Sequence, residues 1–257
     1  MSGLDNTRYI YKLIANLANT SHDIRESAAI NLIEMGGEVT PYLIEGLQHT
    51  NWRVRQYAAW GLGQLADPRG LNPLIAALND SHDAVQEKVT EALGELADKI
   101  AVEPLIHALQ TAPSNVQIAA AKTLEALNDK RAVPALIDAL RNSDPLVRSS
   151  AAVALGSIGD KRAIPTLRET LNDSSDWARG NAAKALGYLR AIKAFDALVA
   201  LLSADGHWSR YYAAWALGEL RDPRAVEPLL SASNTKDAFF KRHCKEALLK
   251  LGHRKSN

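Results

Sequence analysis

Leucine recurs at positions 32, 62, 93, 124, 155, 186, 217 and 248, with one interval of 30 residues followed by six of 31. A period of that length specifies stacked supersecondary units, because one such unit cannot bury its apolar face alone. The same regularity assigns most recurrent residues to the stacking. Information about function therefore lies where the copies differ.

Each leucine sits in a block best seen at residues 147–156, 178–187 and 209–218. Within the last, Arg210, Ala213, Ala214, Ala216, Leu217 and Gly218 follow one another, and Leu220 completes the apolar face. The alanines, the leucine and the next apolar residue (Ile158, Leu189, Leu220) fall at helical spacing, and small side chains there allow neighbouring helices to approach closely. A short turn and another apolar helix follow, as in Asp129-Lys130-Arg131-Ala132-Val133-Pro134 and Asp222-Pro223-Arg224-Ala225-Val226. Aspartate caps orphan N–H groups, and proline is tolerated in a first helical turn. Each unit is predicted to be a helical hairpin. The chain reads as all-α: a single α-solenoid over residues 1–257, with eight repeats near 9–38, 39–69, 70–100, 101–131, 132–162, 163–193, 194–224 and 225–252 and a tail at 253–257.

This pattern resembles the HEAT-like repeat family, in particular the short variant of phycobilisome (phycobilin) lyases and their relatives. The resemblance rests on the Arg…Ala-Ala…Ala-Leu-Gly block followed by Asp-Pro-Arg-Ala-Val, almost whole at 210–226, and spans about residues 9 to 251.

Composition agrees with a helical array. Of the 257 residues 47% are apolar, only three are Phe, and no period-two alternation marks strands. No transmembrane-length apolar run or signal peptide is evident, so no membrane partner is expected and the expected compartment is cytoplasmic. One cysteine precludes an intramolecular disulfide framework. Thirty basic residues against 29 acidic ones leave a formal charge of +1 with no basic track along the array, which disfavours nucleic acid as a partner. The locally basic last segment reads as a solvated capping repeat and tail.

Equivalent positions in the second helices carry Ile30, Trp60, Glu91, Lys122, Val153, Lys184, Trp215 and Glu246. A position that accepts Glu and Lys in four copies is exposed in the stack, and in this architecture the second helices line the concave surface. Trp60 and Trp215 thus stand where charge is ordinarily tolerated. Trp215 shares its ridge with Tyr211, with Tyr212 beside it, and Tyr57 flanks Trp60. In the sixth unit Tyr188 follows Lys184. Exposed Trp and Tyr mark binding surfaces, so these residues are the candidate contacts for a partner or ligand. Glu91, between Glu87 and Glu95, gives repeat three an acidic ridge suited to a basic partner segment. Trp177 and Trp208, at the starts of their helices, read as braces between repeats.

Catalytic patterns are sparse. None of the seven histidines forms a His-Glu dipeptide, which sets aside the di-iron hydroxylases of related fold. The Ser-His-Asp runs at 21–23 and 81–83 read as helix caps, since a nucleophile triad needs convergence in space rather than adjacency. No phosphate loop or Cys/His metal spacing occurs, and Cys244 aligns with small buried alanines. The repeated Asp/Arg turns read as a ladder between repeats. No catalytic residue, metal ligand or cofactor is assigned. The expected function is a non-catalytic scaffold gripping a partner protein, a helical one, in the concave groove. The family resemblance implies an alternative: a phycobilin lyase subunit or phycobilisome-handling factor, binding phycocyanobilin or a related bilin and a phycobiliprotein, with a second HEAT-like subunit as a further partner. Such an enzyme acts by binding and orientation. Tyr211-Tyr212-Ala213-Ala214-Trp215 resembles an aromatic motif of those lyases, with Ala216 where a second Trp is expected.

Overall fold

A computed structural model describes residues 3–253. It divides into two compact units, 1–127 and 128–257. In the first, four hairpins follow in order: α1 (Gly3–Asn16) with α2 (His22–Glu34), α3 (Thr40–Gly46) with α4 (Trp52–Leu65), α5 (Leu71–Ala77) with α6 (Asp83–Leu96), and α7 (Val102–Thr111) with α8 (Ser114–Leu127). The second holds four more: α9 (Val133–Ala139) with α10 (Pro145–Ile158), α11 (Ile164–Thr170) with α12 (Asp176–Tyr188), α13 (Phe195–Leu201) with α14 (His207–Leu220), and α15 (Val226–Ala232) with α16 (Ala238–Lys250). The described residues are all-α, with the same helical hairpin repeated throughout.

Most first helices span only seven residues, too short to persist alone in water. Packing holds them, and a 3₁₀ turn leads into each from α3 onward. In these turns Asp67, Asp98, Asp129, Asp160 and Asp222 accept the backbone N–H two residues on. All eight period-defining leucines are buried. The glycine after several of them sets the spacing of the second helices. A Cβ on Gly156 would lie 2.8 Å from the Cα of Ala185, so α10 and α12 touch at a distance no larger residue permits.

The Asp/Arg turns differ from the ladder read in the sequence. Arg131, Arg162 and Arg224 close back on the aspartate two residues earlier in the same turn. Asp67 also reaches the preceding hairpin, accepting from Thr40 Oγ1 at 2.8 Å. Other arginines, inside the second helices, make the rungs. Arg55 donates from Nε and Nη2 to Asp80 at 2.6 and 2.8 Å, and Arg148 likewise to Asp173 at 2.6 and 2.7 Å. The same arginines donate from Nη1 to the two carbonyls that precede their own helix, Arg55 to His49 and Thr50 and Arg148 to Asn142 and Ser143.

Candidate interaction site

The second-helix column of the sequence is nowhere buried. Ile30, Glu91, Lys122 and Glu246 are exposed, while Trp60, Val153, Lys184 and Trp215 are partly so. Around Trp215 the second unit forms a cleft of about 190 Å³, lined by Lys184, Tyr188, Trp208, Tyr211, Tyr212, Trp215, Phe239 and His243. Three successive second helices, α12, α14 and α16, supply these side chains.

Their geometry is interlocked. Tyr188 meets Trp215 edge-on with centroids 5.0 Å apart, and Lys184 Nζ sits 5.4 Å above the Tyr212 ring and 5.8 Å above that of Tyr188. Gly187 makes room for the indole: a Cβ there would stand 2.6 Å from Trp215 Cζ3. Tyr211 stacks on His243 at 5.2 Å and meets Phe239 edge-on at 4.9 Å. Its hydroxyl donates to Asp237 Oδ2 at 3.2 Å. Burial, followed by the Asp237 charge, pushes the Tyr211 phenol above its usual pKa. Asp237 is also the N-cap of α16, accepting the Phe240 N–H at 2.9 Å. That backbone hydrogen bond is the main cause holding its carboxyl below the usual range.

The helix with most of these rings, α14, has no cap of its own. Gly206 at its N-cap has φ +131 and offers no side chain. Asp176, one hairpin earlier, takes that role: Oδ2 accepts the Trp208 N–H at 3.0 Å, and Oδ1 accepts the Ser209 N–H at 3.2 Å and its hydroxyl at 2.5 Å. A Cβ at 206 would lie 2.0 Å from Asp176 Oδ1, so both the φ and the close approach demand glycine. Burial raises the Asp176 pKa, but the Ser209 hydroxyl, the two N–H donors and Arg179 together outweigh it and hold the carboxyl below its usual range.

Trp177 and Trp208 stack on each other across hairpins six and seven at 4.8 Å, as braces between repeats, while remaining 48% and 40% exposed, and Trp208 also lines the cleft. Phe239 and His243 were not singled out in the sequence although they close its far side. The signal was present, since residues 177, 208 and 239 stand one period apart and are all aromatic.

In the first unit, Tyr57 and Trp60 meet edge-on at 6.1 Å within a cleft of about 350 Å³ that also involves His22, Arg25, Glu26, Gln56 and Lys88. Polar groups dominate it, and Lys88 pairs with Glu91 at 2.5 Å. Glu91 also faces a neighbouring recess with Glu87, Glu95, Asn115 and Lys122. There Asn115 donates to Glu87 at 3.0 Å, so part of the acidic ridge is satisfied within the chain. His82 caps α6 through Nδ1, as its Ser-His-Asp run suggested, but Ser21 at the start of α2 makes no side-chain cap bond.

Among the described residues no group of three His, Cys, Asp or Glu is placed to hold a metal ion, and no helix is long and apolar enough to cross a membrane. Cys244 is buried, and burial pushes its thiol up to about 11.

Repeated hairpins bearing a local aromatic site define a helical-repeat protein. The family described as HEAT repeats matches residues 40–115, 102–187 and 166–249, and the chain belongs to it. Among solved structures, the chain is similar to YibA of E. coli, with TM-score 0.74 and 22% identity over 98% of this chain and 96% of that one. It is also similar to a chain in the complex of CpcE and CpcF of phycocyanin lyase from Nostoc sp. PCC7120, with TM-score 0.55 and 29% identity over 82% of this chain and 87% of that one. An engineered protein shares the fold at TM-score 0.57 and 21% identity, over 95% of this chain and 78% of that one. No curated protein sequence matches the chain.

Proposed function

We propose that the protein is a non-catalytic interaction scaffold that grips a partner protein on the face formed by its second helices, in a cytoplasmic setting. The aromatic cleft around Trp215 carries this reading. Trp215, Tyr211, Tyr212 and Tyr188 with Lys184 form the gripping surface, while Trp60, Tyr57 and Glu91 offer a more polar, secondary contact. Large, rigid aromatic side chains give contact area at low entropic cost, which suits an anchor site. The test is recovery of a stoichiometric partner with the tagged protein in its native extract. Replacing Tyr211 and Trp215 together by Ala should weaken that association at least tenfold. Unaltered association would move the site away from the cleft.

A second reading is favoured by the 29% identity to the phycocyanin lyase complex and by the Tyr211–Trp215 run. Here the protein handles a bilin and a phycobiliprotein, alone or with a second HEAT-like subunit. Purified protein mixed with phycocyanobilin should then show a shifted visible spectrum that the same double substitution abolishes. An unchanged spectrum sinks this reading. Cleft size supports the first: about 190 Å³ is below the roughly 300 Å³ at which sites for whole small molecules begin.

A further inference from the structure

The two aromatic clefts occupy matching registers, yet their charges are balanced differently. In the first unit Lys88 pairs with Glu91, and Glu26 lines the same cleft. In the second unit Lys250 Nζ lies 5.3 Å above the Trp215 ring, and its charge is met by Glu219. Lys184 differs from both. It is partly buried beside the rings, it rests on the faces of Tyr188 and Tyr212, and no carboxylate of the described residues pairs with it. A ring face attracts an ammonium group only modestly. A carboxylate would interact more strongly with the same group.

From this charge and volume we infer that the second-unit cleft selects an acidic anchor on the partner protein: one large aromatic side chain, with an Asp or Glu one helical turn away that pairs with Lys184. The inference rests on the scaffold reading and specifies what is gripped. A cleft of about 190 Å³ accommodates a single large side chain, and the exposed Trp177 and Phe239 rings extend the apolar bed on either side of Trp208. Arg179, the other cation of α12, is taken up by Asp176 and the Asp205 carbonyl, so Lys184, the lysine that lines the cleft, decides the sign of the neighbouring residue. In the first-unit cleft the lysine already has its carboxylate, Lys88 with Glu91, and Arg25 over Tyr57 is turned to the Asn19 and Thr20 carbonyls.

The probes are three helical peptides of otherwise identical sequence: one with Trp followed four residues later by Glu, one with Trp followed by Lys, and one with Ala in place of Trp followed by Glu. Affinity is measured by calorimetry against the full chain. The Trp–Glu peptide should bind about fivefold or more tightly than the Trp–Lys peptide, and Lys184→Glu should reverse that order. Lys184→Met should erase the preference while leaving the helical content and melting temperature of the protein unchanged. Equal binding of the two Trp peptides, both lost with Trp215→Ala, overturns the charge selection and leaves the scaffold reading standing. Binding of neither Trp peptide above the Ala control overturns both.

Discussion

Asp176 shows how much one side chain can determine. Its carboxylate caps a helix in the following hairpin, so Asp176→Ala should cost about 1–2 kcal/mol, as the loss of an N-cap generally does. The pH dependence has a definite sign. Because the folded carboxyl titrates below its unfolded value near 4, its stabilisation is complete above that value and is lost as pH falls through the lower folded one. Thermal melts between pH 7 and 2 should therefore fall less steeply on the acid side for Asp176→Asn than for the unsubstituted protein. Parallel curves would remove Asp176 from this role. At the same scale, Trp215 was legible in the sequence because aligning the repeats exposes a residue that departs from its column, and Tyr211, Tyr212, Tyr188 and Lys184 followed as its neighbours on the ridge. Phe239 left a trace in the aromatic column 177, 208 and 239, but that column is not the one of Trp215, and Phe239 and His243 reach the cleft only when α16 folds against α14. The Asp176 contact was equally hidden. Nothing in a lone aspartate at the start of one helix tells that it serves the next.

At the scale of helices, the arginine rungs explain a regularity that composition conceals. Arg55 and Arg148 meet an aspartate in the next hairpin, Asp80 and Asp173, each of which also accepts a backbone N–H two residues on. The residues in that register for Arg25, Arg179 and Arg210 are His49, Ala204 and Thr235. These are the arginines whose Nε is buried without a partner. His49 already performs the local part of the job, accepting the Asn51 N–H at 3.0 Å through Nδ1. His49→Asp should keep that bond, supply Arg25 with its missing acceptor, and add about 1 kcal/mol of stability. The expected rise in melting temperature is about 2–4 °C for a chain of this size. A fall would mean that the α2–α4 spacing differs from that of α4–α6. The hairpins themselves were fully legible, since a 3.6-residue apolar period punctuated by Asp-Pro and Leu-Gly admits little else. The rungs were not. The Asp/Arg pairs adjacent in sequence drew attention away from partners 25 residues apart.

At the scale of the whole molecule, each unit buries its own run of leucines and alanines. Arrays of this kind have stabilities that sum over repeats and their immediate neighbours, so damage should remain local. Cys244 provides a reporter, as a buried thiol with its pKa pushed up to about 11 does not react until its surroundings open. Leu62→Ala, a cavity in the first unit, should cost about 2–5 kcal/mol there. Yet the denaturant concentration at which Cys244 becomes reactive should scarcely change. Leu217→Ala, beside the cleft, should lower it markedly. Equal shifts from the two substitutions would mean that all eight hairpins unfold as one.

The clasp between Asp176 and Gly206 has a consequence for ancestry and engineering alike. Repeat proteins gain and lose units by duplication and deletion, and most junctions tolerate the exchange because each unit brings its own ends. Hairpins six and seven do not. A unit inserted between them would strand α14 without an anion at its start, and a copy of hairpin seven placed elsewhere would arrive uncapped. The two hairpins are a heritable pair, and the aromatic cleft travels only with both.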